Sequence, residues 1–153
     1  MASEMVIEKS INIERTSQFV FDFLKLTRNQ DRFSVWNMKD PNKETKHIGT
    51  DGTVGFVYSW NSKDNSVGAG SQKVLNIVEG TQIEYELTFE RPMKNVGVSK
   101  FLIESIANNE TKVTWTFSGP VKFPMSLMKG MIEKMLGKDI SQSLDNLKAL
   151  LEK

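Results

Sequence analysis

The sequence has no cysteine, which excludes disulfides, thiolate nucleophiles and cysteine-ligated metals. It has a single histidine, His47, too few nitrogen ligands for an ordinary zinc or non-haem iron site. Neither sign of charge dominates: 20 basic residues face 19 acidic ones, a net charge of +1. A chain that binds nucleic acid through its phosphates ordinarily carries a basic excess or stripe, and none is present. No segment approaches the roughly 20 apolar residues that span a bilayer, so no membrane insertion is expected. The opening "MASEMVIEKSINI" lacks the long apolar run of a secretory signal, which makes the cytoplasm the expected location. No phosphate loop, dinucleotide fingerprint or metal motif occurs, and the expected cofactor complement is none.

What is present fits one domain over residues 1–153, long enough to bury a core unaided. Val6 to Ile13 alternates as a half-buried strand. Thr16 or Ser17 can cap a short helix carrying Phe19, Val20, Phe23 and Leu24, and a second short helical turn runs into a loop at Asp40-Pro41-Asn42. Alternating strands follow. "GTVGFVYSW" places Val54, Phe56, Tyr58 and Trp60 on one side, and "TQIEYELTFE" does the same for Ile83, Tyr85, Leu87 and Phe89. "VGVSKFLIESI" and "TKVTWTFSG" form a hairpin across Ala107-Asn108-Asn109-Glu110, and Pro120 and Pro124 fence off the last strand. The order is β-α-α-β-β-β-β-β-β-α, an α+β antiparallel sheet with one wet and one covered face.

The C-terminal helix carries two apolar stripes. Met128, Met131, Ile132, Met135 and Leu136 cluster on one side; Ile140, Leu144, Leu147 and Leu151 form a second stripe turned by roughly a quarter turn. Either the helix curves over a twisted sheet, or its methionine half lies over an irregular space. Methionine is pliable and recurs at adaptable binding surfaces. The inward strand positions are rich in aromatics: Phe56, Tyr58, Trp60, Tyr85, Phe89, Phe101, Trp115 and Phe117. Together these predict a cavity. Tyr58, Gln72, Tyr85 and Ser99 are the polar side chains expected to point inward, although the tyrosines also suit a wall whose hydroxyls reach the rim. His47 is expected at the surface or the rim. Glu84, Glu86 and Glu104 fall on the outward parity and Asp22 in solvent, and no nucleophile–base spacing appears, so no catalytic residue is assigned.

In order and landmarks the sequence resembles the START-like, helix-grip (SRPBCC) superfamily, and within it the polyketide cyclase/dehydrase and lipid-transport-like group. The resemblance rests on "VIEKSINIERTSQFVFDFL", the W-x3-DP of Trp36 to Pro41, "GTVGFVYSW", "VGAGSQKV", "IEYELTFERP", "TKVTWTFSGP" and "MLGKDISQSLDNLKALLE", and covers residues 5–152. It implies a helix-grip fold: a curved six- or seven-stranded antiparallel sheet around a long C-terminal helix, with a tunnel for an apolar or amphipathic molecule between them. The expected partner is a lipid- or polyketide-like small molecule, and the expected chain a monomer or homodimer. Its site would comprise Trp36, Phe56, Tyr58, Trp60, Gln72, Tyr85, Phe89, Ser99, Phe101, Trp115, Met128, Met131 and Met135. Members of the superfamily also include cyclases, which fold a reactive substrate with few catalytic groups, and a chaperone activator, which acts as a protein-interaction module. Loops "SWNSKDNSVG" and "ERPMKNVG" are expected at the mouth.

Overall fold

The computed structural model describes residues 2–153, with side chains from Glu4 onward. Strand β1 (Ala2–Ile13) leads into α1 (Ser17–Leu24), a 3-10 turn (Thr27–Arg32) and α2 (Val35–Met38). Six strands follow: β2 (Glu44–Ile48), β3 (Val57–Asn61), β4 (Ala69–Val78), β5 (Gln82–Arg91), β6 (Asn95–Ala107) and β7 (Glu110–Lys122). A second 3-10 turn (Met125–Met128) opens onto α3 (Lys129–Leu151). All seven strands pair antiparallel in the order β1-β7-β6-β5-β4-β3-β2, an open sheet edged by β1 and β2.

The first two helical segments are fixed by polar contacts at their starts. Thr16 Oγ1 accepts the Phe19 amide to cap α1. The 3-10 turn is capped from a distant loop, where Asp51 carboxylate oxygens accept the amides of Thr27 and Arg28 at 2.7 and 3.2 Å. In α1 the buried residues are Val20, Phe21 and Leu24, whereas Phe19 is exposed under the Arg15 guanidinium. Phe21 therefore takes the core place that the spacing predicts for Phe19.

The core lies on the concave face of the sheet, and the alternation of β5, β6 and β7 puts Ile83, Tyr85, Phe101, Ile103, Val113 and Trp115 there. One end of this trough is filled by Phe21 and Leu24 of α1 and by Phe33, whose ring meets Phe101 at 6.3 Å and Trp115 at 5.9 Å. α3 closes the side along β1, burying Ile140, Leu144, Leu147 and Leu151. Polar contacts clamp it: the Val35 amide donates to Ser143 Oγ at 2.9 Å, Asn146 Nδ2 to the Phe33 carbonyl at 3.1 Å, and Lys148 Nζ to the Asn12 carbonyl at 2.8 Å. β7 does not stop at Pro120 but runs to Lys122. A strand residue's N–H and C=O point to the same side, and the Pro120 carbonyl accepts Asn95 Nδ2 on the β6 side, beyond the end of the β6–β7 ladder at Val98–Ser118. The amide hydrogen that proline lacks has no ladder position to fill.

Candidate functional site

The trough is not filled along its whole length. Between the sheet, α2 and the middle of α3 lies a cavity of about 300 Å³. Trp60 of β3, Leu87 and Phe89 of β5, Trp115 and Phe117 of β7, Trp36 of α2 and Leu136 and Ile140 of α3 supply its apolar walls. The rings interlock at their edges: Trp36–Trp115 6.0 Å, Trp60–Phe89 6.0 Å and Phe89–Phe117 6.4 Å between centroids. Gly70 makes the Trp60 placement possible, because a Cβ there would stand 2.8 Å from Trp60 Cη2. Ser66 and Val67 of one predicted mouth loop and Pro92 of the other line the cavity too.

Most polar groups in these walls are already satisfied by the protein. Trp115 Nε1 donates to Ser99 Oγ at 2.9 Å, Trp36 Nε1 to Asp139 Oδ2 at 3.1 Å and Trp60 Nε1 to the Val67 carbonyl at 3.2 Å. Gln30 and Gln72, both buried, exchange amide hydrogen bonds at 3.1 and 3.2 Å. The polar end of the cavity is built on Asp31. Its Oδ1 accepts from Tyr58 Oη at 2.7 Å and Asn37 Nδ2 at 3.1 Å, with Lys43 Nζ at 3.3 Å. Lys43 also donates to the Asn37 carbonyl at 2.8 Å. Its side chain is 8% exposed against 36% for Asp31, so the cation is the more withdrawn partner and lines the cavity itself. Burial pushes the Tyr58 hydroxyl far above the usual phenol range, and the hydrogen bond to the Asp31 carboxylate and its charge push it the same way. Tyr58 therefore holds its proton and spends it on Asp31. The hydrogen bonds described here leave the Ser99 hydroxyl proton and one Lys43 N–H free to meet a guest.

Among the residues predicted for the site, Trp36, Tyr58, Trp60, Gln72, Phe89, Ser99 and Trp115 line this one cavity. Phe56, Tyr85 and Phe101 do not; they are buried in the core beside it. Tyr85 is completely buried, its pKa raised by that burial, and Phe101 stacks on the back of Trp115 at 4.7 Å. Strand parity assigns a face of the sheet but not a position along it, and Phe33 fills the trough at that end. Met128, Met131 and Met135 need correction: all three are exposed, and the cavity is closed instead by Leu136 and Ile140 on the other side of the helix. The buried face of α3 continues the leucine stripe backwards through Gly137 and leaves the methionines outside. His47 lies on β2, exposed and stacked on Tyr58 at 5.1 Å. The residues that sequence reasoning did not find are Gln30, Asp31, Asn37 and Lys43. They sit in short turns and a loop without periodicity, so only tertiary contact brings them together. Among the described residues no group of three or more His, Asp or Glu could hold a metal, and no helix is long and apolar enough to cross a membrane.

An open curved sheet gripping a long C-terminal helix, with an aromatic cavity between them, defines a helix-grip protein. The chain belongs to the polyketide cyclase / dehydrase and lipid transport family, whose pattern matches residues 5–152. No curated protein matches it in sequence. Among solved structures it is similar to norcoclaurine synthase from Thalictrum flavum in complex with dopamine and hydroxybenzaldehyde, at TM-score 0.72 and 9% identity over 99% of this chain and 90% of that one. It is similar also to protein CV1439 from Chromobacterium violaceum (TM-score 0.68, 15% identity, 97% of each chain). A third similar structure is the Aha1 dimer from Colwellia psychrerythraea (0.66, 16%, 97% and 96%). Identities this low speak for the fold alone.

Proposed function

We propose that the protein binds a compact amphipathic small molecule in the cavity between sheet and α3, with a flat apolar body against the tryptophans and a polar end at Lys43. The observation that carries this reading is the aromatic cavity itself, closed at one end by a paired lysine. At about 300 Å³ it falls at the small end of the ~300–1,000 Å³ range of ligand sites. That size favours a fused-ring, polyketide-like guest over a long-chain lipid. A guest oxygen that accepts from Lys43 suits the N–H left free there. All three tryptophans of the chain line the cavity, so intrinsic fluorescence reports its occupancy directly. Titration with 8-anilino-1-naphthalenesulfonate is expected to quench that fluorescence saturably, and oleate to compete weakly. The substitution Leu136→Trp, which fills the cavity, is expected to abolish the quench while the fold persists by circular dichroism. Absence of any saturable change, or an undiminished quench in Leu136→Trp, would reject the reading.

A second reading, cyclase- or dehydratase-type catalysis in the same cavity, is favoured by the Lys43–Asp31–Tyr58 cluster. A buried ammonium held beside a carboxylate can polarise a carbonyl or pass a proton to it. Conversion of a bound poly-β-ketone that is lost in Lys43→Met, with the fluorescence titration retained, would support it.

A further inference from the structure

The outward face of α3 is the second unusual surface of the molecule, and it is independent of what fills the cavity. Met131, Lys134, Met135 and Lys138 fall within an arc of about 100° on the helix. With Lys9 of β1, Gly137 and Ser141 they line a shallow open depression holding three lysines and no acidic side chain. Met131 is 63% and Met135 58% exposed. The same character continues into the turn before the helix, where Phe123 is 70% and Leu127 76% exposed and Lys122 and Lys129 flank them. Two carboxylates stand at the edges of this face: Glu133 accepts the Val6 amide at 3.3 Å, and Asp139 accepts Trp36 Nε1. Gly137 lets the stem of Lys9 pass under the helix, since a Cβ there would stand 3.1 Å from Lys9 Cε.

We propose that this face docks the protein onto an anionic bilayer surface. Large apolar side chains exposed this fully cost solvation energy unless something covers them. The depression itself carries three lysines and no acid, which favours a negative partner. Lysine stems reach past a methionine layer to headgroup phosphates while the sulfur-bearing chains enter the acyl boundary, the arrangement of a helix that lies on a membrane rather than across it. Leu136 and Ile140, on another side of the same helix, wall the cavity, so docking would set the cavity beside the lipid.

Sedimentation of the full chain with vesicles tests this. Binding is expected to phosphatidylcholine vesicles containing phosphatidylglycerol at low salt, to weaken as salt rises, and to be absent with phosphatidylcholine alone. Replacing two lysines together, Lys134→Gln with Lys138→Gln, is expected to weaken it roughly 25-fold, from about 1 kcal/mol per lysine near an anionic leaflet. The exposed pair Met131→Ser with Met135→Ser is expected to weaken it roughly tenfold without altering the salt dependence. Lys73→Gln, far along the sheet, should leave it unchanged. No binding to the anionic vesicles, equal binding to neutral ones, or full binding by the double lysine variant overturns the proposal. So does a dimer in sedimentation velocity that the double methionine variant splits, which would make a second copy of the chain the occupant.

Discussion

Two tyrosines and two glutamines show how tightly single residues are committed around the cavity. Tyr58 is 1% exposed and Tyr85 wholly buried, they are the only tyrosines, and burial raises both pKa values. Below about pH 10 both the folded and the unfolded chain keep these protons, and stability is unaffected by them. Above it the unfolded chain releases protons that the native state retains, so stability falls with rising pH, by up to about 2.7 kcal/mol per pH unit for the pair. The tyrosinate absorbance is therefore expected to appear together with the loss of near-UV circular dichroism, not before it. In Tyr58→Phe with Tyr85→Phe the alkaline decline should be largely absent; tyrosinate forming in a native protein would contradict the burial. The Gln30–Gln72 pair makes a different demand. Gln30→Leu strands a buried amide and is expected to cost about 1–3 kcal/mol in urea unfolding, and the double change with Gln72→Leu should cost less than that single change, because both polar partners then go together.

Within the elements, the glycines mark where backbone or ring must approach. In β4, Gly70 faces the Thr88 carbonyl and the Trp60 ring, neither of which can move without disturbing the sheet or the cavity wall. Gly70→Ala is expected to cost about 1–3 kcal/mol and to shift the tryptophan emission. Gly130, in the first turn of α3, meets nothing within 4 Å. Gly130→Ala should stabilise by up to about 1 kcal/mol through helix propensity alone. Thermal melts of the two variants moving in the same direction would contradict this account. The edge strand β2 teaches a related lesson. Glu44–Ile48 is exposed at every position, so no alternation betrays it, and only its ladder with β3 makes it a strand.

For the whole molecule, α3 carries two unrelated surfaces, and they should be separable. Met128→Leu, Met131→Leu and Met135→Leu together are expected to change stability by less than about 1.5 kcal/mol and to leave the ligand preference of the cavity as it was. A changed preference in fluorescence titration would mean that the methionines reach the cavity after all.

Most of the architecture was legible in the sequence. Val6–Ile13, "TQIEYELTFE" and "TKVTWTFSG" announce strands because a period of two survives wherever one sheet face is buried, and Ile140–Leu151 announces a helix for the equivalent reason. Seven of the thirteen residues expected at the site line one cavity; six of them stand on strands, where parity selects a face, and Trp36 stands on α2. What the tertiary structure alone decided is how far along that face the cavity extends, which side of α3 closes it, and what stands at its polar end. Phe33 fills one end of the trough, Leu136 and Ile140 displace the methionines, and Asp31 meets Tyr58 and Lys43 from separate segments. Periodicity records which way a side chain leaves its own element. It carries no record of which other element arrives to meet it.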